Sequence, residues 1–171
     1  KNSCVYAGSL FEGKGFELVY KLAKILKNVD FYVYGNTNFL DKKRYDLKFK
    51  NLKIYPYQKY KKIPKIINSH KICLMPYSKK VHVRSSSITV ENYMSPIKLF
   101  EYLASGKVII ASKMQVYKHI LQNNYNSYLI DSDDIGSWIK RIKFVIKNYS
   151  RTNKIRTNAF RTSKKFDIQS R

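Results

Sequence analysis

The sequence has no long hydrophobic run, and it is poor in glycine, proline and cysteine. No apolar run approaches the roughly 18 residues that a membrane span requires. The first residues lack the long apolar region and cleavage site of a signal peptide. Six glycines and four prolines among 171 residues argue against a fibrous or loop-rich protein. With 44% hydrophobic and 15% aromatic residues, the composition indicates a globular chain with a hydrophobic core.

The cysteines and histidines are few, and their positions argue against a disulfide bond and against a metal site. Cys4 and Cys73 each lie in a short apolar run, so we expect buried, reduced thiols. Reduced thiols fit a cytoplasmic location. The three histidines are scattered, and no Cys or His pair has the spacing of metal ligands, so no metal site is predicted.

Acidic residues are scarce, with 11 Asp and Glu against 34 Lys and Arg, which gives a net charge of +23. Three interpretations remain open: a solvated basic surface, attraction to an anionic membrane or phosphate-bearing substrate, and nucleic-acid binding. No recognition helix or sheet signature favours nucleic acid. The basic residues that could meet lipid headgroups are Lys42, Lys43, Arg44, Lys59, Lys61, Lys62, Lys164 and Lys165.

Short apolar runs alternate with amphipathic segments along the whole chain. The patterns predict strands at residues 3–7, 30–34, 52–55, 72–75, 108–111 and 127–130. They predict helices at residues 16–26, 62–69, 96–105, 116–122, 134–148 and 153–165, and loops at 39–50 and 77–94. We therefore expect an α/β fold, a Rossmann-like parallel sheet of about six strands with helices on both faces. One domain would cover residues 1–171, with residues 150–171 as a basic C-terminal helix and tail.

Parallel sheets of this kind bind ligands beyond the carboxyl ends of their strands. The loops at that edge are residues 8–15, 35–38, 55–60 and 76–96. The last of these loops leads into the helix at residues 96–105, which has marked ends: Ser95 suits the N-cap, Pro96 the first helical position and Gly106 the residue after the end.

This helix has two predicted faces. Its core face is expected to consist of Ile97, Phe100, Leu103 and Ala104, while Lys98, Glu101 and Ser105 share another face. The N-terminus of a helix attracts anions, and a bound diphosphate would explain a lysine in the first turn. Glu101, one turn further, could accept hydrogen bonds from the two hydroxyls of a ribose. A capped core helix with a Lys98–Glu101 side-chain pair is the simpler alternative.

The segment SPIKLFEYLASGKVIIAS at residues 95–112 resembles the donor-site segment of retaining GT-B glycosyltransferases of group 1 (glycosyltransferase family 4). Other pieces resemble the same family in the same order: YAGS at 6–9, KG at 14–15, FYVYG at 31–35, NLKIYP at 51–56, ICLMP at 72–76, and Asn126 followed by YLI at 128–130. The resemblance covers nearly the whole chain, and its most specific part is residues 95–112.

The resemblance implies an enzyme of two Rossmann-like domains, with this chain as the C-terminal, donor-binding one. An N-terminal acceptor domain would be absent from it, and the start of the chain inside a predicted strand also indicates a piece of a longer protein. The implied partner is a UDP- or GDP-sugar, bound without a cofactor or metal. The sugar would pass, with retention of configuration, to a hydroxyl of a cell-surface glycan or lipid-linked acceptor. The enzyme would be cytoplasmic, peripheral at the inner face of the membrane.

The resemblance also assigns roles to individual residues. Lys14 and Lys98 would stabilise the leaving diphosphate, Glu101 would bind the ribose, and Tyr55 and Tyr57 would flank the base; no general base is identified. From the residues alone, an exposed loop lysine is the alternative for Lys14, and ordinary edge-strand tyrosines are the alternative for Tyr55 and Tyr57. The predicted substrate-binding set is Gly8, Ser9, Lys14, Gly15, Tyr55, Tyr57, Arg84, Ser95, Pro96, Ile97, Lys98 and Glu101.

Two positions depart from the family pattern. Ser9 stands where the family usually has a basic residue after the glycine of the first strand. Tyr93 stands where many members have the first of two glutamates, and Glu91 lies two residues earlier. A sugar-nucleotide epimerase of GT-B architecture is an alternative, which would be expected to have more acid–base residues near the site.

Overall fold

The computed structural model describes residues 2–10, 13–40, 45, 47–78, 82–83, 86–89 and 97–166, and of residues 39, 82–83 and 86–89 it describes the backbone. The strands in these ranges are β1 (Ser3–Ala7), β2 (Asp30–Tyr34), β3 (Leu52–Tyr55), β4 (Ile72–Met75), β5 (His82–Val83), β6 (Ser86–Thr89), β7 (Val108–Ser112) and β8 (Tyr128–Ile130). The α-helices are α1 (Phe16–Ile25), α2 (Ile63–Asn68), α3 (Ile97–Ala104), α4 (Ile135–Lys147) and α5 (Asn153–Lys164). None of the helices in the described ranges has both the length and the apolar content needed to span a bilayer.

Six strands form one parallel sheet in the order β3-β2-β1-β4-β7-β8. The predicted α/β fold with a six-stranded parallel sheet is therefore confirmed. From β1 the chain builds the sheet in one direction through β2 and β3, and from β4 it builds in the other direction through β7 and β8. The helices that follow β1 and β4, α1 and α3, consequently pack on opposite faces of the sheet, and a cleft forms at the carboxyl ends of the strands near this point.

Hydrophobic residues cover both faces of the sheet, because alternate side chains of each strand point to opposite sides. Cys4 and Tyr6 pack with α1 and α4 on one face, while Val5 and Cys73 pack with α2, α3 and α5 on the other. The two cysteines are buried and free, as predicted. They lie on neighbouring strands but belong to opposite faces, and burial raises the pKa of both thiols.

Polar side chains fix the positions of α1 and α4 on their face. Asp134 caps α4 by accepting a hydrogen bond of 3.0 Å from the backbone N–H of Ser137, and the buried Trp138 donates to the carbonyl of Asp131. The buried amide of Asn51 donates to the carbonyls at the end of α1 and in the following turn, at 2.9–3.1 Å. It thereby satisfies carbonyls that the end of a helix leaves unpaired.

Two predicted segments differ from the structure. Within the predicted loop at 77–94, β5 and β6 form a two-stranded antiparallel hairpin, which the polar composition of this segment concealed. The helix predicted at 116–122 is a single 3₁₀ turn, Gln115–Tyr117. There, Asn126 accepts a hydrogen bond from the backbone N–H of Gln122, so a side chain replaces the continued helical bonding.

The predicted core face of α3 is wrong in part. The buried residues are Leu99, Tyr102 and Leu103, whereas Ile97 is 72% exposed. The helix is rotated because Tyr102 belongs to its core face: its hydroxyl accepts a hydrogen bond of 2.9 Å from the backbone N–H of Ala7. This bond joins α3 to the end of β1, so the helix is held directly at the edge where the cleft lies.

One edge of the sheet is protected by a side chain. Within the part of the chain that the structure describes, β8 pairs with β7 alone, and no strand pairs with its other side. The backbone N–H of Leu129 in β8 donates a hydrogen bond of 2.9 Å to the side-chain oxygen of Asn123. An exposed edge with unpaired N–H groups is a template for pairing with other chains. The hydrogen bond to Asn123 satisfies one of these N–H groups.

Candidate functional site

A cleft of about 360 Å³ opens at the carboxyl ends of β1, β2 and β4, beside the start of α3. Its lining combines two lysines, one carboxylate and several aromatic rings. The lining residues are Ala7, Gly8, Ser9, Lys14, Tyr34, Tyr57, Gln58, Tyr60, Ile63, Tyr77, Ile97, Lys98 and Glu101. Seven members of the predicted set meet in this cleft: Gly8, Ser9, Lys14, Tyr57, Ile97, Lys98 and Glu101.

The other predicted residues have different positions. Gly15 precedes α1 with φ +98°. A side chain there would overlap the backbone of Pro76, so the glycine allows the loops after β1 and β4 to approach each other closely. Tyr55 lies outside the lining but stacks on Tyr34, which belongs to it, with ring centroids 4.9 Å apart. Arg84, Ser95 and Pro96 lie outside the described residues, as do Glu91, Tyr93, Lys42, Lys43 and Arg44.

Hydrogen bonds hold the loop after β1 against the sheet. The backbone N–H of Gly8 donates to the carbonyl of Tyr34 at 2.8 Å. The buried Tyr6 hydroxyl lies 2.6 Å from the carbonyl oxygen of Ser9 and 2.9 Å from that of Lys14. Because one hydroxyl bridges both ends of the segment 9–14, Ser9 and Lys14 are fixed at the floor of the cleft.

Lys98 extends from the first turn of α3 into this floor. Its Nζ atom lies 4.5 Å from the ring centroid of Tyr6 and 5.1 Å from that of Tyr77. A Cβ atom at Gly8 would overlap this Nζ, so Lys98 contacts the bare backbone at the end of β1. Burial, followed by the charge of Lys14, lowers the pKa of Lys98 to about 7, and Glu101 acts in the opposite direction. Among the described residues, the charge of Glu101 does not offset the effect of burial and of Lys14 on Lys98.

Lys14 reaches the same aromatic ring from the loop after β1. Its Nζ atom lies 5.5 Å from the ring centroid of Tyr77. Burial lowers the pKa of Lys14 as well. Two ammonium groups that share one ring in a half-buried cleft are suited to a ligand with more than one negative charge.

Glu101 is half-buried one turn deeper along α3. Burial raises the pKa of its carboxyl, and the charge of Lys98 acts against this shift. Lys98 and Glu101 are not joined as an ion pair among the described residues, so the simple helix-surface pair is not formed. The carboxylate instead faces the cleft, where it can accept hydrogen bonds from ligand hydroxyls.

Several lining residues escaped the sequence analysis, notably Tyr34 and Tyr77. Each stands at the carboxyl end of a predicted strand, Tyr34 as the last residue of β2 and Tyr77 two residues after β4. Tyr77 lies in the predicted edge loop at 76–96, and Gln58 and Tyr60 lie in the one at 55–60, but nothing in the sequence singled out these residues within their loops. Ile63 follows the second of these loops and has no comparable signal.

A second cavity, of about 430 Å³, lies on the other side of the loop that contains Gly13 and Gly15. It is bordered by the first turns of α1 and α4, and Glu17 and Asp133 contribute acidic groups to it. It lacks the paired lysines and the aromatic rings of the first cleft. Within the described ranges, no three His, Cys, Asp or Glu side chains are grouped as metal ligands would be.

Comparisons with known proteins agree with this fold. The family model of glycosyl transferases group 1 matches residues 1–162. No curated protein matches the sequence at a significant level. Among solved structures, Anabaena Alr3699/HepE in complex with UDP-glucose superimposes with a TM-score of 0.77 at 14% identity, over 99% of this chain and 46% of that chain.

Two further structures have the same fold. The C-terminal domain of a group 1 family glycosyl transferase, LpcC of Francisella tularensis, gives a TM-score of 0.77 at 18% identity, over 99% of this chain and 88% of that chain. A TarM variant of S. aureus, in a complex that includes UDP, gives 0.75 at 15% identity, over 99% of this chain and 34% of that chain. The chain thus spans less than half the length of the HepE and TarM chains.

Proposed function

The chain belongs to the group 1 glycosyl transferases, and from this membership we propose that it is the donor-binding domain of a GT-B enzyme. Its ligand is a nucleotide diphosphate sugar, and the reaction moves the sugar to an acceptor hydroxyl. One observation carries the proposal: Lys14, Lys98 and Glu101, from two separate parts of the chain, line a single cleft at the reversal of strand order.

The chemistry of the lining supports a distinct role for each group. Lys14 and Lys98 bind the diphosphate and stabilise the negative charge that develops as it leaves the sugar. Glu101 accepts hydrogen bonds from the ribose hydroxyls. Tyr57, which is 76% exposed, offers a ring face to the base, and Tyr55 supports this wall through Tyr34. Ser95, Pro96 and Arg84 remain part of the proposed phosphate and sugar contacts.

We propose UDP as the nucleotide, because the structures of HepE and of the TarM variant contain UDP or UDP-glucose. The transferred group is a hexosyl unit, and its anomeric configuration is retained, as the resemblance to glycosyltransferase family 4 implies. Tyr93 stands where the family usually has the glutamate that contacts the donor sugar, so the proposal assigns no carboxylate to that contact. No metal or other cofactor belongs to the proposed mechanism.

The proposed enzyme also requires a second domain. HepE, which binds UDP-glucose, is more than twice as long as the part that this chain matches. An N-terminal domain would supply acceptor recognition and the other wall of the cleft. The 171-residue chain is therefore expected to bind the nucleotide weakly and to transfer no sugar by itself.

The basic surface next to the cleft supports a peripheral position on the cytoplasmic face of a membrane, with a lipid-linked or cell-surface glycan acceptor. Lys59, Lys61 and Lys62 are exposed beside Tyr57 and Tyr60, and the latter is 69% exposed. Each basic residue near an anionic surface contributes about 1 kcal/mol. Vesicle sedimentation tests this proposal: binding should require anionic lipid, and equal binding to neutral vesicles would contradict it.

A thermal-shift and calorimetry panel of UDP, GDP, ADP and UDP-glucose tests the proposed function. UDP and UDP-glucose should stabilise the chain, and Lys98→Met should greatly reduce the effect. Lys118→Met, at an exposed lysine away from the cleft, is the charge-matched control and should bind normally. The proposal would be overturned if the chain bound oligonucleotides in a salt-dependent way and did not respond to UDP. If the two-domain enzyme epimerised the nucleotide sugar in the absence of an acceptor, the protein would be an epimerase instead.

A further inference from the structure

We propose that Tyr6 and Tyr77 are positioning residues, which hold Lys14 and Lys98 as a preformed cradle for the two phosphates of a nucleoside diphosphate. This inference rests on the proposed function, since it assigns the diphosphate to the cleft. Neither tyrosine was identified from the sequence, and both are almost fully buried, at 0% and 2% exposure.

Tyr6 connects the two lysines through different parts of its side chain. Its hydroxyl lies within hydrogen-bond distance of the carbonyls of Ser9 and Lys14, so it fixes the backbone from which Lys14 extends. The face of its ring lies under the Nζ atom of Lys98. Burial raises the pKa of the hydroxyl, so the ring stays neutral and keeps its hydrogen for the carbonyls.

Tyr77 is shared by both ammonium groups. The two Nζ atoms lie 5.1 Å and 5.5 Å from the centroid of its ring, within the range in which a cation is attracted to an aromatic face. Two like charges in a half-buried cleft repel each other, and the ring offsets part of this repulsion. The ammonium groups are consequently held near each other before any anion binds.

Gly8 completes the cradle. Because it has no side chain, the Nζ atom of Lys98 can rest against the end of β1 between the two rings. Lys98 is thereby kept from Glu101, with which it forms no ion pair among the described residues. Both cations remain directed toward the space that the diphosphate would occupy, and little rearrangement accompanies binding.

The experiment compares Tyr77→Phe, Tyr77→Leu and Tyr77→Met in the whole chain, with UDP, pyrophosphate and uridine as probes in calorimetry. Tyr77→Leu and Tyr77→Met remove the ring face and should weaken UDP and pyrophosphate binding by about tenfold. Tyr77→Phe keeps the face and should stay within about twofold of the original chain. Uridine, which carries no phosphate, should bind all variants alike.

A double-mutant cycle tests the second tyrosine. Tyr6→Phe should weaken pyrophosphate binding about fivefold in the original chain, but it should have no further effect once Lys14→Met is present. Three results would each overturn the cradle. They are an equal loss of affinity for Tyr77→Phe and Tyr77→Leu, a parallel loss of uridine binding, and additive effects of Tyr6→Phe and Lys14→Met on pyrophosphate binding. Binding of pyrophosphate without any binding of UDP would leave the cradle intact and refute the proposed function.

Discussion

The ammonium group of Lys98 lies against the α-carbon of Gly8, in the space that the side chain of any other residue at position 8 would fill. The two residues are far apart in sequence, and they meet because Tyr102 ties α3 to the end of β1. The absence of a side chain at one position thus determines where the cation at the other position can lie.

Replacing Gly8 by alanine should displace Lys98 and weaken UDP-glucose binding. We expect a loss of about tenfold or more, equivalent to roughly 1.4 kcal/mol, in isothermal titration calorimetry. The fold should persist, because the displaced group is the end of a flexible side chain. Gly136→Ala is the matched control, since a Cβ there makes only an ordinary contact with Asp134. Equal affinity of the Gly8 and Gly136 variants would contradict the assigned role of Lys98.

The affinity for UDP-glucose should fall as the pH rises above 7. Burial and Lys14 hold the pKa of Lys98 at about 7 in the free cleft, and a bound diphosphate favours the charged form and raises this pKa. Below pH 7 the cation is already present, whereas above it binding must take up a proton. The dissociation constant should rise about tenfold between pH 7 and 8.5.

This proton uptake can be measured directly. Binding enthalpies in buffers with different ionisation enthalpies should give an uptake approaching one proton near pH 8, and the sugar diphosphate itself does not titrate in this range. Lys98→Met should bind weakly and show a smaller uptake, since only Lys14 remains. If the original chain binds UDP-glucose without taking up protons, Lys98 does not become protonated on binding, and the proposed contact between Lys98 and the diphosphate is contradicted.

Replacing Glu101 by glutamine tests whether this carboxylate contacts the ribose hydroxyls or affects UDP binding only through its charge. If Glu101 binds the ribose hydroxyls, Glu101→Gln should weaken UDP binding by about tenfold, through loss of charge-assisted hydrogen bonds. It should not weaken binding of a UDP analogue without the two ribose hydroxyls. If the carboxylate touches no hydroxyl, removal of a negative charge beside Lys98 should strengthen phosphate binding instead, so the two cases differ in sign.

Asn51→Leu should destabilise the fold without altering the cleft. The Asn51 amide donates to the carbonyls of Ala23, Leu26 and Val29, and all three would lose this buried donor, although the carbonyl of Leu26 keeps its bond from the N–H of Val29. The expected loss is about 2–3 kcal/mol in urea unfolding, with an unchanged slope. Asn148→Ala is the control, because its exposed amide bonds the carbonyl of Phe144 and its loss should cost less than about 0.5 kcal/mol.

The sequence predicted the strands of the main sheet well because each is a short apolar run with a clear end. Residues 30–34 and 52–55 match β2 and β3 fully, and Gly35 and Pro56 mark the ends of these strands. Lys98 and Glu101 were predicted to share one face of their helix, and both line the same cleft; their roles stay a prediction. Features of this kind depend on neighbours in the chain.

The remaining features depend on contacts between distant residues. The rotation of α3 follows from the hydrogen bond between Tyr102 and Ala7, which are 95 positions apart. The role proposed for Tyr77 rests on two lysines that approach its ring from different elements, Lys14 from the loop after β1 and Lys98 from the first turn of α3. The hydrophobic pattern left Tyr102 off the predicted core face and Tyr77 in a predicted loop, because it contains no information on what a tyrosine hydroxyl or ring face contacts.

The hydrogen bond between Asn123 and Leu129 has a consequence for how this chain behaves in salt. At a net charge of +23, copies of the chain repel each other in dilute buffer, and this repulsion alone opposes pairing of their open sheet edges. At physiological ionic strength, charges more than about 8 Å apart are largely screened. Under those conditions we expect resistance to edge-to-edge association to depend on local features such as the side chain of Asn123, which already accepts a hydrogen bond from an N–H group at the edge of β8.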